Sequence, residues 1–231
     1  MDIKNIQLSE IENSLSKQVI LIYGRAKVGK STFCSHFEKP FFIATEAGLG
    51  QLEVKKVNCN NWKTFLEACK AIAEGNHGYK TIIVDTIDNL VDFCSESVCK
   101  DNGVNHPSEL PHGKGWHLVT YELRRAITKL ASLPYGLVLV SHSVKEEIET
   151  KIKKYSRWTI FVSGKNKNIF LNMSDIILFV DSKIGSDGEE VRLIRTKPSM
   201  NWEAGDRSGR LPAEMKLDYK ELVKYFEKGG K

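Results

Sequence analysis

Short apolar runs alternate along the chain with stripes of apolar residues at helical spacing. The run VILIYG (Val19–Gly24) is apolar at almost every position and stops at a glycine, as a strand buried on both faces does. A helix is expected from Lys30 to about Phe37. PFFIATE (40–46) and KTIIVDT (80–86) read as a second and a third buried strand. Between them Asn61 can cap a helix whose apolar positions are Phe65, Leu66, Cys69, Ile72 and Ala73, with Gly75 near its end. A further stripe follows at Ile87, Leu90, Val91, Cys94 and Val98. A loop containing Gly103, Pro107, Pro111, Gly113 and Gly115 breaks the pattern. The stripe Leu118, Tyr121, Leu123, Ile127, Leu130 then leads into GLVLVSH (136–142), another buried strand. Strands alternating with helices predict an α/β fold with a mostly parallel twisted sheet flanked by helices.

The last third has a different texture. KIKKYSRWTIFVSGKNK (151–167) alternates unevenly and reads as an exposed hairpin or a mobile loop. DIILFVD (175–181) and EVRLIRTK (190–197) read as an antiparallel pair whose turn is favoured by Asp187-Gly188. DYKELVKYFEK is a short amphipathic helix capped by Asp218, within a C-terminal segment at 213–231. The expectation is one domain over 1–231, with an N-terminal extension at 1–18 and an antiparallel C-terminal extension. No repeat or low-complexity tract suggests a second unit.

Composition narrows the class. A chain of 231 residues, 41% hydrophobic, can bury one ordinary core. No apolar run is long enough for a membrane span, and MDIKNIQLSE carries neither an apolar core nor a cleavage-type signal. Five cysteines, an odd number, suit a reducing compartment. A soluble cytoplasmic protein, with no membrane partner, is therefore expected. Net charge is +5, and six cations with no acidic residue fall within 151–167: Lys151, Lys153, Lys154, Arg157, Lys165 and Lys167. The rest of the chain is close to neutral. This pattern suggests a local contact with a polyanion; the alternative is a solvated hairpin face.

The chemistry is most legible at Gly24-Arg25-Ala26-Lys27-Val28-Gly29-Lys30-Ser31, a full match to G-x4-G-K-[ST] between a strand and a helix. The glycines let backbone N–H groups turn toward phosphates. Lys30 can reach the β- and γ-phosphates, the Ser31 hydroxyl can ligate Mg²⁺, and Thr32 is placed to help hold the α-phosphate. Asp85 ends the apolar strand TIIVD, where a second metal-associated carboxylate is needed. Glu46 ends the strand before it and could polarise an attacking water; the alternative is a surface glutamate opening a loop. ATP and Mg²⁺ are the expected cofactors. Cys94, Cys99, His112 and His117 match a zinc-finger spacing, but the two cysteines fall on a helical stripe, which argues for packing. His142 follows an apolar strand and reads either as a plain strand-end histidine or as a sensor of the γ-phosphate.

Together these residues resemble the RecA-type ATPase core. The likeness is closest to short phage proteins that carry this core alone, the phage nucleotide-binding proteins and single-strand annealing recombinases. It covers about 19–212. Its more specific parts are FIATEAGL and LPHGKGW…ELRRAITKLASLPYGLVLVSH. The resemblance implies that Glu46 activates water and that His142 stands where the family has a sensor glutamine. It implies DNA-binding loops near 103–115 and 143–167. It implies that Lys197 reaches a neighbouring subunit's γ-phosphate, with Arg207 and Arg210 as further candidates for that role. ATP would lie between subunits of a ring or filament. Tyr155, Trp158 and Phe161 would stack on unpaired bases, or else pack the hairpin. The implied activity is an ATP-dependent, single-stranded-DNA-binding ATPase of phage recombination, annealing or replication, possible partners including a single-strand-binding protein. A hexameric helicase or helicase loader is the alternative, and a small-molecule kinase a more distant one.

Overall fold

The computed structural model describes residues 12–150, 153–185 and 187–227. Among these residues ten strands form one sheet: β1 (Val19–Gly24), β2 (Pro40–Ala44), β3 (Lys55–Asn58), β4 (Thr81–Asp85), β5 (Gly136–Glu149), β6 (Lys154–Ile160), β7 (Ile176–Ile184), β8 (Glu190–Arg195), β9 (Gly205–Asp206) and β10 (Glu214–Lys216). Six α-helices accompany them among the described residues: α1 (Lys30–Cys34), α2 (Trp62–Ala73), α3 (Ile87–Asp101), α4 (Lys114–Ala131), α5 (Gly164–Met173) and α6 (Tyr219–Phe226).

The strand order is β10-β8-β7-β1-β5-β4-β2-β3, with β6 paired to β5 and β9 to β7. β7, β1, β5, β4, β2 and β3 are parallel. The antiparallel strands lie at one side, where β8 follows β7 and β10 follows β8, and in the β5–β6 hairpin. The sheet is thus the expected mostly parallel one between helices. Alternate residues of the central strands feed two cores. Leu21, Tyr23, Ile43, Val84 and Leu139 face α2, α3, α4 and α5. Ile20, Ile22, Phe42, Ile83 and Val138 face α1 and α6. Near-continuous apolar runs are what burial on both faces requires.

Caps fall where the side chains can supply them. The Asn61 carboxamide accepts from the Thr64 N–H, and the Asp218 carboxylate from the Lys220 N–H. Helix α1 is shorter than its pattern suggests. Ser35 Oγ donates to the Thr32 carbonyl and His36 Nδ1 also contacts that oxygen, so side chains compete there with the helical ladder.

Of the two readings of the 143–167 segment, hairpin or loop, the structure has the hairpin: β5 runs seven residues past His142, and its residues 143–149 pair with 154–160 of β6. The correction is at its end, where residues 164–173 form α5. Its GKNKNIFLNM sequence has too weak an apolar stripe to announce a helix, since only Asn166, Ile169 and Phe170 are buried. Strand β3 was likewise missed, because KKVN is an edge strand without a buried run. The 175–181 strand is antiparallel to β8 as expected, but it is also a parallel neighbour of β1.

Candidate functional site

The sheet's carboxyl edge gathers the candidate residues. Gly24 lies opposite His142 across β1 and β5, Asp85 opposite Val140 across β4 and β5, and Ala44 opposite Asp85 across β2 and β4. The order β1-β5-β4-β2 therefore presents the phosphate loop, His142, Asp85 and Glu46 along one edge, where ligands of open α/β sheets bind.

Two glycines of the loop are required by its shape. A Cβ on Gly24 would lie 2.6 Å from the Val180 carbonyl oxygen. Gly29 has φ +105°, in the left-handed region. Lys30 is buried, and its Nζ donates to the carbonyls of Gly24 and Arg25 at 2.9 Å each. Burial lowers its pKa, opposed by the nearby carboxylates of Asp85, Asp88 and Glu46. Ser31 is half-buried, while Arg25, Ala26, Lys27 and Thr32 are exposed and Val28 is buried.

Asp85 is 1% exposed, and neither carboxylate oxygen has a hydrogen bond of ordinary geometry. Burial raises its pKa; the adjacent Ser31 hydroxyl pulls the other way, as do Lys30 and His142, while Glu46 adds to the rise. Two buried, unpaired carboxylate oxygens beside a serine hydroxyl form a hard-oxygen donor set that fits Mg²⁺. Ser31 and Asp85 would hold the ion, which would supply charge neutralisation at the phosphates.

Glu46 is held next to Asp85 by a lock not visible in the sequence. Thr45 Oγ1 donates to the Thr86 carbonyl and accepts from the Thr86 N–H, both at 2.7 Å. The Thr45 N–H donates to the Asp85 carbonyl at 2.8 Å, and Asn89 Nδ2 donates to the Thr45 carbonyl at 3.1 Å. Glu46 itself is half-buried.

His142 has a partner that sequence reasoning did not single out. Asp88, in the first turn of α3, accepts from Ser141 Oγ at 2.5 Å and from the His142 N–H at 2.8 Å, and lies 2.8 Å from His142 Nδ1. The hydrogen bond to Asp88 raises the His142 pKa. An aspartate three residues beyond a strand-end aspartate was the available signal, but such a residue also reads as an ordinary first-turn carboxylate.

The β7–β8 hairpin reaches over the phosphate loop. Arg192 donates to the Val28 carbonyl at 3.2 Å, and Arg25 donates to Ser182 and Glu190. Beside Gly29 and Thr32 a cleft of about 990 Å³ opens, lined also by His36, Arg192, Leu217, Asp218 and Tyr219. Its walls come from α1, β8 and the segment before α6, so no local motif could announce it.

The basic segment is less bare than its sequence. Lys154 pairs with Glu147 at 2.6 Å, Arg157 with Glu203 at 3.0 Å and Lys167 with Glu146 at 2.7 Å. The expected run of free cations is thereby corrected, because pairing β6 with β5 brings up the carboxylates of 146 and 147. Lys151 lies outside the described residues. Lys153 is exposed over the Tyr155 ring, and Lys165 is exposed on α5 with no carboxylate partner among the described residues. Trp158 stacks near Phe179, which in turn stacks on Tyr23 and Trp202, so it anchors the hairpin rather than offering a face to bases. Phe161 (60% exposed) and, on α4, Tyr121 (57%) and Trp116 (47%) are open aromatics among the described residues. Trp116 was not singled out from the sequence.

The candidate residues for action on a neighbouring subunit are already engaged. Arg207 bonds Asp175 and the Asn172 carbonyl. Arg210 bonds the Phe226 carbonyl and Asn13 and lies over the Phe226 ring. Asp175 also accepts from the N–H of Val19, at the start of β1, so Arg207 sits at the edge of the sheet opposite the phosphate loop. Lys197 is half-buried, 3.9 Å from Asp206. The zinc reading fails on packing: Cys94 and Cys99 are buried on α3, and the Cys94 thiol donates to the Val119 carbonyl.

A phosphate loop, a strand-end aspartate and a mostly parallel sheet define a P-loop ATPase-type domain. The family model described as an AAA domain matches residues 16–208, and the chain belongs to that family. Among curated proteins the chain is similar to the SPbeta prophage-derived uncharacterized protein YorG of Bacillus subtilis (strain 168), 25% identical over 190 residues. The match covers 79% of this chain and 56% of the relative, so the chain spans little more than half the length of that protein. Among the described residues no helix is long and apolar enough to cross a membrane.

Proposed function

We propose that the chain is an ATP- and Mg²⁺-dependent ATPase that binds single-stranded DNA and acts in phage recombination, annealing or replication. The observation that carries the ATPase part is the buried, unpartnered Asp85 carboxylate beside Ser31 and Lys30, on the edge that also presents Glu46. Lys30 and the loop amides would bind the phosphates, and Ser31 and Asp85 would hold the metal. Glu46, steadied through Thr45, would polarise the attacking water. The adjoining cleft is of a size to take a base and ribose.

The polymer part rests on the resemblance to the RecA-type core and on a prophage-derived relative. It is supported by the exposed Phe161 and Trp116 and by Lys153 and Lys165, which suit stacking and phosphate contact without base readout. A ring or filament of copies would bring a neighbour's cation to the nucleotide; Lys197, Arg207 and Arg210 all have local partners within one chain, so any of them would have to exchange that partner to act there.

The test is ATP hydrolysis with and without single-stranded DNA at one fixed salt concentration, with Glu46→Gln as control. Stimulation that the control abolishes is expected. Turnover indifferent to DNA, with no DNA binding in the presence of ATP, would overturn the polymer reading.

A further inference from the structure

Asp88 is buried and accepts from three donors, and among the described residues no other carboxylate near the site is so fully used. Its bond partners are Ser141, the last buried residue of β5 before the hairpin, and His142, which follows it. Ser141 Oγ donates to Asp88 and receives the Phe161 N–H at 3.2 Å; that same N–H donates to the His142 carbonyl at 2.9 Å. One carboxylate on α3 thus ties together the sensor-position histidine and the backbone of the most exposed aromatic at this edge.

The chemistry of the tie is directional. An ionised carboxylate only accepts, so the His142 proton sits on Nδ1 and Nε2 is the ring atom left for another partner. The ring is within electrostatic reach of Lys30 and Glu46, the groups that would face a terminal phosphate. We infer that Asp88 is a positioning residue: it orients His142 toward the nucleotide and, through Ser141, makes the place of Phe161 depend on whether a γ-phosphate is present. This rests on the reading of the edge as an ATP site, and it adds the path by which that site would reach the polymer-binding surface.

The experiment places 4-trifluoromethylphenylalanine at position 161 and follows its ¹⁹F resonance with ADP and with a non-hydrolysable ATP analogue, both with Mg²⁺. Calorimetry reports nucleotide binding separately. The two nucleotides should give different resonance positions in the parent, and Asp88→Asn should abolish that difference while still binding both. Asparagine can keep the two His142 contacts through its oxygen, but it turns its N–H group toward Ser141 Oγ, which reverses that bond, and it removes the negative charge facing His142 Nδ1. His142→Asn and Ser141→Ala should each reduce the difference, and the Asp88→Asn/His142→Asn pair should lose no more than Asp88→Asn alone. If Asp88→Asn does not fold, these two variants decide the matter. A full difference surviving in the variants, or none in a parent that binds nucleotide, would overturn the inference alone. Absence of nucleotide binding in the parent would overturn the ATP reading with it.

Discussion

Replacing Asp85 by asparagine should make the nucleotide-free protein more stable and the nucleotide-bound protein less so. The side chain is 1% exposed, and both oxygens lack a hydrogen-bond partner. A buried polar group left unsatisfied costs about 1–3 kcal/mol, more when charged. Asparagine removes the charge, and its amide can use the Ser31 hydroxyl. Part of the gain is offset because Lys30 loses an opposing charge. A net gain of about 1 kcal/mol is expected, or roughly 2–4 °C in melting temperature for a chain of this size. With Mg²⁺-ATP at about 100 times its Kd the parent gains about 2.7 kcal/mol, which is roughly 5–10 °C. The variant should lose most of that gain, so the order of the two proteins inverts.

Differential scanning fluorimetry in EDTA, and again with Mg²⁺-ATP, reads both effects. The pH dependence carries the same sign. Burial holds the Asp85 carboxyl above the ordinary carboxylate range, so the folded state takes up its proton before the unfolded chain does. That contribution is fully present below the unfolded pKa and is lost as pH rises through the folded one. Nucleotide-free parent should therefore gain on Asp85→Asn as pH falls, closing the gap between them. A variant that melts at or below the parent in EDTA, or that rises equally with Mg²⁺-ATP, would refute the reading of Asp85 as an unsatisfied metal-side carboxylate.

Two further outcomes separate packing from function. Trp158→Ala should destabilise the fold by about 2 kcal/mol or more through loss of its ring stack, whereas Phe161→Ala should leave the melting temperature within about 2 °C and weaken single-strand binding; the opposite pattern in melting and fluorescence-anisotropy titrations would reverse their roles. His142 gains a partner in Asp88 that raises its pKa from 6.5, so its contribution to stability is fully present below pH 6.5 and is lost as pH rises through the folded value. His142→Asn should flatten that part of the pH–stability curve, and an unchanged curve in denaturant titrations would contradict the Asp88 contact.

Much of the frame was legible because it is written in local, period-two and helical patterns. A strand buried on both faces must be apolar throughout, so β1, β4 and the first half of β5 were visible in the sequence. A phosphate loop is contiguous, and its glycines answer to local backbone geometry, as the left-handed Gly29 illustrates. The Asn61 and Asp218 caps are equally local. What failed was whatever depended on a neighbour distant in the chain. The cations of 151–167 looked unopposed because Glu146, Glu147 and Glu203 are brought to them only by the hairpin and the turn after β8. Trp158 read equally as a stacking platform or as hairpin packing, and its stack near Phe179, itself stacked on Trp202, decides for packing. Asp88 had no distinguishing mark in its own helix, and its three donors come from residues more than fifty positions away. Sequence alone determined which backbone segments bury and where phosphate-binding amides lie, since those follow from spacing. Only the tertiary structure decided which charges are paired and which aromatics stay open, because Coulomb and packing energies act through space rather than along the chain.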